Sequence, residues 1–160
     1  MADGGKKLSI VCFSGDFDRA IAVFTLASGA AAVGYRVNLF FTFWGLDIVK
    51  AKTGRSFTGR GLLARSFGFL MGGRLNLPLS RFNFLGLSPR LLTGLMRKRN
   101  VATLDELIDA SRALKVNFYA CEMAMQIMGL TRTDLVPDVQ EILGVAKFLE
   151  LADGGQVLFI

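Results

Sequence analysis

The sequence predicts an α/β fold with three layers, α/β/α, around a mostly parallel sheet of four to five strands. Three observations carry this. Apolar runs of strand length recur as near-continuous hydrophobic stretches rather than alternating ones, the pattern of strands buried on both faces. Segments with helical spacing separate them, so strand and helix alternate along the chain. The composition, 52% hydrophobic and 20% charged in 160 residues, is that of a globular chain long enough to bury one core. Residues 1–160 are therefore expected to form a single domain that includes an insertion at 53–100.

The elements follow in order. The first strand is 7-KLSIVCFS-14. Gly15 and two aspartates turn the chain into 18-DRAIAVFTLASGAAAVG-34, an alanine-rich helix that stops at Gly34. The β-branched and aromatic run 35-YRVNLFFTFWG-45 reads as a second buried strand, completing a right-handed βαβ unit. The pattern breaks after Lys52 and resumes at 103-TLDELIDASRALK-115. There Thr103 and Glu106 have capping-box spacing, and Leu104, Leu107, Ile108 and Leu114 supply the buried face. A strand, 116-VNFYAC-121, leads into a short helix that Gly129 ends. Residues 138–143 hold a short strand, 144–153 a helix, and 156-QVLFI-160 a terminal strand after the turn at Gly154-Gly155.

Charge is unevenly placed. Between Ala51 and Leu104 stand ten basic residues and no acidic one, whereas the rest of the chain carries a balance of −4 within the total of +6. The arginines of this insertion alternate with leucine and phenylalanine, and no run reaches the ~20 apolar residues of a spanning helix. Three roles fit it: a contact within a homo-oligomer or with a protein partner, a peripheral contact with an anionic membrane, or a source of arginines for an anionic ligand. Nucleic acid is not an expected partner, because the segment matches no recognised module and is too apolar to track phosphates.

The chain contains no histidine, which excludes Ser-His and Cys-His catalysis and histidine metal ligation. Two cysteines cannot by themselves form a structural zinc site and do not make a secreted disulfide framework. The N-terminus MADGGKK lacks the apolar core of a signal peptide, so a reducing cytoplasm is the expected location. No metal or organic cofactor is called for.

In open parallel sheets, sites form beyond the carboxyl ends of the strands. Three such ends can converge here: Ser14-Gly15-Asp16, Thr42 with Trp44, and Cys121 followed by Glu122 and Met123. Cys121 ends a strand and begins a helix, where unpaired backbone N–H groups favour a thiolate; the adjacent Glu122 opposes it. Placement alone leaves both a working thiol and a small buried residue open. Cys12, flanked by Val11 and Phe13, reads as a core residue, with redox pairing to Cys121 as the alternative. Met125 and Met128 have the spacing of core packing. Ser14-Gly15-Asp16 reads as a turn in which Asp16 or Asp18 caps the helix, with a phosphate cradle as a weaker alternative.

Three stretches, 29-GAAAVGYRVNLFFTFWGLDIV-49, 103-TLDELIDASRALKV-116 with 120-ACEMAMQIMG-129, and 144-GVAKFLELADGGQVLFI-160, resemble the DsrE/DsrF-like family of small stand-alone proteins, nearly end to end. The resemblance implies the three-layer fold, homo- or hetero-oligomers, and intracellular sulfur trafficking with sulfur held as a persulfide. The family cysteine falls on Cys121. Glu122, Ala124 and Gln126 depart from the family pattern of a small or amide residue, a serine and an aspartate. The expected activity is that of a sulfur carrier or sulfurtransferase exchanging sulfur with donor and acceptor proteins or small persulfides.

Overall fold

The computed structural model describes residues 5–55, 57, 62, 65, 66, 69, 72–81 and 87–160. The apolar runs form β1 (Lys7–Cys12), β2 (Arg36–Phe41), β3 (Asn117–Cys121), β4 (Val139–Leu143) and β5 (Gln156–Phe159). They join in one five-stranded sheet of order β4-β3-β2-β1-β5, and every neighbouring pair is parallel. The described helices are α1 (Phe17–Ala32), α2 (Leu87–Lys98), α3 (Leu104–Ala113), α4 (Glu122–Met128) and α5 (Val145–Ala152). None of the described helices is long and apolar enough to cross a membrane.

The strand order explains the layers. From β1 to β4 each step moves the same way across the sheet, so right-handed crossovers put α1, α3 and α4 on one face. The return from β4 to β5 crosses β3, β2 and β1 and puts α5 on the other. Side-chain packing agrees. Phe24 of α1 lies 6.2 Å from the Phe41 ring and 5.8 Å from the Phe118 ring, while Phe148 of α5 stacks on Phe40 at 4.4 Å. Neighbouring residues on one strand point to opposite faces, so Phe40 and Phe41 serve different helices. A polar row fixes the register inside this core. Asn117 donates to Asn38 at 3.0 Å and Asn38 donates to Ser9 at 3.2 Å, linking β3, β2 and β1.

Several local expectations change. The strand expected over 35–45 stops at Phe41, and Phe43–Val49 coils into a 3-10 helix. The apolar, aromatic sequence continues, but the backbone reverses: Phe43 takes φ 45, and Gly45 N donates to both Phe13 O and Thr42 O at 3.0 Å. Trp44 therefore lies in this 3-10 turn rather than closing a strand. The capping box at Thr103 forms, with Thr103 N donating to Glu106 Oε2 at 2.7 Å. Leu104 and Ile108 are buried as expected, but Leu114 is exposed because it caps the helix rather than extending its inner face. Gly129, at φ 65, ends α4.

Of the basic, apolar insertion, Arg60, Leu63, Phe67, Leu70, Met71, Phe82, Phe84 and Leu85 lie outside the described residues. Residues 72–80 form a strap across the carboxyl end of the sheet. Leu75 N donates to Thr53 O, Phe17 N donates to Pro78 O, and Ser80 donates to Asp18 through its backbone N at 3.0 Å and also through its hydroxyl. Arg74 pairs with Asp105 at 3.1 Å, tying the strap to the start of α3.

Candidate functional site

The first two strand ends meet closely. Thr42 N donates to Cys12 O at 3.0 Å, continuing the β1–β2 ladder by one residue. A Cβ on Gly45 would fall 2.0 Å from Cys12 O, and one on Gly15 would fall 2.7 Å from Trp44 O. Both positions therefore need glycine because backbone occupies the space a side chain would take. The Ser14 hydroxyl donates to Asp16 Oδ2 at 2.8 Å and accepts from Asp16 N at 3.1 Å. Asp16 stands at the N-cap of α1 without capping it through its side chain, and Asp18 is engaged by Ser80; neither aspartate makes the expected cap. The turn is closed by Ser14 instead, and Asp16 also pairs with Arg19 at 3.5 Å.

Cys121 is the third strand end. It is the last residue of β3 and the N-cap of α4, at φ −76 and ψ 117. The ladder sets it beside Leu143, and its predecessor Ala120 beside Phe41, so Cys121 stands one strand over from Thr42. Helix α4 packs against the 43–49 turn, which brings the second and third strand ends together. Cys121 is only 4% exposed. The Glu122 carboxylate reaches across to α5: its Oε2 lies 4.0 Å from where a side chain on Gly144 would begin. Met123 is exposed, whereas Ala124 and Met125 pack inward.

Cys12 is a different kind of thiol. It is the last residue of β1 rather than a mid-strand residue, it is fully buried, and its sulfur faces Ile10 O at 3.7 Å. Burial pushes its pKa far up, opposed only weakly by a hydrogen bond from the backbone of Phe40, so the thiolate is suppressed. The ladder also separates the two cysteines. Cys12 pairs with Phe41 and Phe41 with Ala120, so two strand spacings, roughly 10 Å, lie between them. A disulfide needs Cα atoms within about 7 Å. The expected alternative of a Cys12–Cys121 redox pair is therefore corrected: β2 stands between them.

One buried pair was not foreseen. Lys50 and Asp47, 2% and 3% exposed, form an ion pair of 2.5 Å at the end of the 43–49 turn. Lys50 Nζ also donates to Gly72 O at 3.2 Å, and the Lys50 backbone bridges Leu135 ahead of β4. Burial raises the Asp47 pKa despite the opposing pull of Lys50. This lysine ties the turn over Cys121's neighbourhood to the strap and to the approach to β4. The i,i+3 spacing of Asp47 and Lys50 was visible in the sequence; their burial was not. Among the described residues no three Cys, Asp or Glu side chains cluster as a metal site requires.

A family model described as the DsrE/DsrF/DrsH-like family matches residues 4–160. The chain belongs to that family. Within it, the chain is 38% identical to Uncharacterized protein YrkE of Bacillus subtilis (strain 168), covering 100% of both chains. It is 32% identical to Sulfur carrier protein DsrE2 of Allochromatium vinosum, covering 92% of each. Among solved structures, a protein of unknown function from Methanobacterium thermoautotrophicum, MTH1491, shares the fold with a TM-score of 0.52 at 13% identity, covering 97% of this chain and 99% of that one. The three-layer architecture of the DsrE/DsrF/DrsH-like family is thus the architecture seen here, with Cys121 at the carboxyl end of its third strand.

Proposed function

We propose that this protein is an intracellular sulfur carrier that holds sulfane sulfur as a persulfide on Cys121. The observation that carries the reading is a strand-end cysteine in a chain 32% identical, over 92% of its length, to a protein named as a sulfur carrier. The Cys121 thiolate attacks the terminal sulfur of a donor persulfide, R–S–SH, and the R–S⁻ thiolate leaves with its own bonding pair. The product is Cys121–S–SH. An acceptor thiolate then attacks the outer sulfur, and Cys121–S⁻ departs. No electron is gained or lost overall, so neither a metal nor an organic cofactor is needed. At 4% exposure the sulfur is reached only after local opening, and the short α4 with its exposed Met123 and Ile127 is the element that opens. Ser14, Gly15, Asp16, Thr42 and Trp44 shape the neighbouring strand ends, and Glu122 directly follows the thiol in the chain. Cyanide tests this: a loaded carrier releases about one thiocyanate per chain, and Cys121→Ser releases none. Equal release from both would reject Cys121 as the carrier.

A second reading is favoured by one surface. Helix α2 exposes Leu91 and Leu95 beside Arg90, Arg97 and Lys98, with no acidic residue on the helix. Such a face suits an anionic membrane surface or a protein partner. In that reading the protein is a scaffold docked through 53–100, and Cys121→Ser leaves association intact. The homo-oligomer expected of the chain would use the β5 edge, where all four residues are exposed, Val157 and Phe159 among them.

A further inference from the structure

The strap and helices α2 and α3 enclose a cavity of about 350 Å³ at the carboxyl end of the sheet, on the face of α1 and α3. Its apolar floor includes Phe17 and Leu77, and its polar wall is formed by Arg74, Arg90, Arg97 and Asp105. Three guanidinium groups thus face one carboxylate. Arg74 forms an ion pair with Asp105 at 3.1 Å, although its buried Nε makes no hydrogen bond; Arg90 and Arg97 have no ion-pair partner among the described residues. The sequence explains why, since no acidic residue occurs between Ala51 and Leu104 to neutralise them. The nearby Glu106 feels Arg97, but its carboxylate is committed to the Thr103 cap. That cap takes the Glu106 N–H of α3, and the cationic groups of the cavity are its arginine side chains.

We propose that this cavity binds a phosphomonoester with a small apolar body. The excess of two guanidinium groups over the one carboxylate matches the charge of roughly −1.5 to −2 on a phosphomonoester at neutral pH. Guanidinium forks suit phosphate oxygens, and the floor of Phe17 and Leu77 suits an apolar substituent. The volume lies at the lower end of the usual range for small-molecule sites, about 300–1,000 Å³. The assignment stands whether or not Cys121 carries sulfur, because none of these residues takes part in that exchange. The phosphomonoester can be a free metabolite-sized molecule or the head group of a lipid, and the experiment separates the two.

Phenyl phosphate is titrated into the full-length protein by calorimetry at fixed ionic strength, with benzyl alcohol as the uncharged control. Saturable binding is expected, weakened about tenfold or more by R90Q/R97Q and unchanged by Arg99→Gln, which removes a charge from the same region outside the cavity. Both variants change exposed side chains, so an unaltered thermal transition confirms that each is folded. In a second arm, vesicles containing phosphatidic acid are sedimented with the protein. Binding that phenyl phosphate competes away assigns the head group as the source, and no vesicle binding assigns the free molecule. The absence of saturable phenyl phosphate binding overturns the proposal. So does an equal loss in Arg99→Gln; vesicle binding that phenyl phosphate leaves untouched belongs to the exposed α2 face and assigns the free molecule to the cavity.

Discussion

Replacing Lys50 tests the framework around the strand ends. Its ammonium lies 2.5 Å from Asp47 Oδ1 and 3.2 Å from Gly72 O, with both side chains almost fully buried. Lys50→Met keeps most of the aliphatic length and removes the charge and the donor. Breaking a buried pair from one side costs about 3–5 kcal/mol, because the remaining charge has no counterion. Asp47 limits the loss by taking up a proton, and burial already favours that form. With Asp47 neutral, the remaining penalty is that of unmet hydrogen bonds, about 1–3 kcal/mol. A carboxyl with a raised folded pKa contributes stability that is full below its unfolded pKa, about 3.9, and lost as pH rises through the folded value. Losing Lys50 widens that window upward. Urea unfolding followed by the fluorescence of the single tryptophan, Trp44, should therefore show the larger loss near pH 8 and the smaller one near pH 5. The paired change Asp47→Leu with Lys50→Met should recover most of the stability, since it leaves no buried charge. A loss below about 0.5 kcal/mol at the higher pH, or the same loss at both, would refute the account of this pair.

Gly45→Ala should destabilise by about 1–3 kcal/mol or prevent folding, because its Cβ would meet Cys12 O; an unchanged urea midpoint would show that the two strand ends are not so tightly joined. Asp18 should loosen the strap in acid. Desolvation raises its pKa, but hydrogen bonds from the Ser80 side chain and backbone outweigh this and leave it below the usual carboxylate value. Its contribution is present above the unfolded pKa and lost as pH falls through the folded one, so limited proteolysis near residues 72–81 should speed up in acid, and Asp18→Asn should flatten that dependence.

What the sequence made legible was set by local pattern. Continuous apolar runs located β1, β2 and β3, the inner strands, because a parallel sheet covered on both faces leaves them no solvent side to interrupt the run, whereas the edge strands β4 and β5 are short and largely exposed. The same logic failed at Thr42–Gly45. FTFW is as apolar and aromatic as a strand, but the φ of Phe43 and the close approach of Gly45 to Cys12 O are tertiary facts. Leu114 has helical spacing yet falls on the cap, where the inner face has ended. Cys121 was legible as a strand-to-helix junction, whereas its near-complete burial is a tertiary fact. The pairing of Lys50 with Gly72, and the meeting of Arg74, Arg90 and Arg97 at one cavity, join positions that no periodicity connects.

The most direct test of the central claim is the intact mass of the protein after incubation with a sulfane donor, for the wild type, Cys12→Ala and Cys121→Ser. A persulfide adds one sulfur atom, about 32 Da. The account predicts this adduct on the wild type and on Cys12→Ala, its loss on reduction, and its absence from Cys121→Ser. An adduct that persists in Cys121→Ser, or none on the wild type, would contradict it.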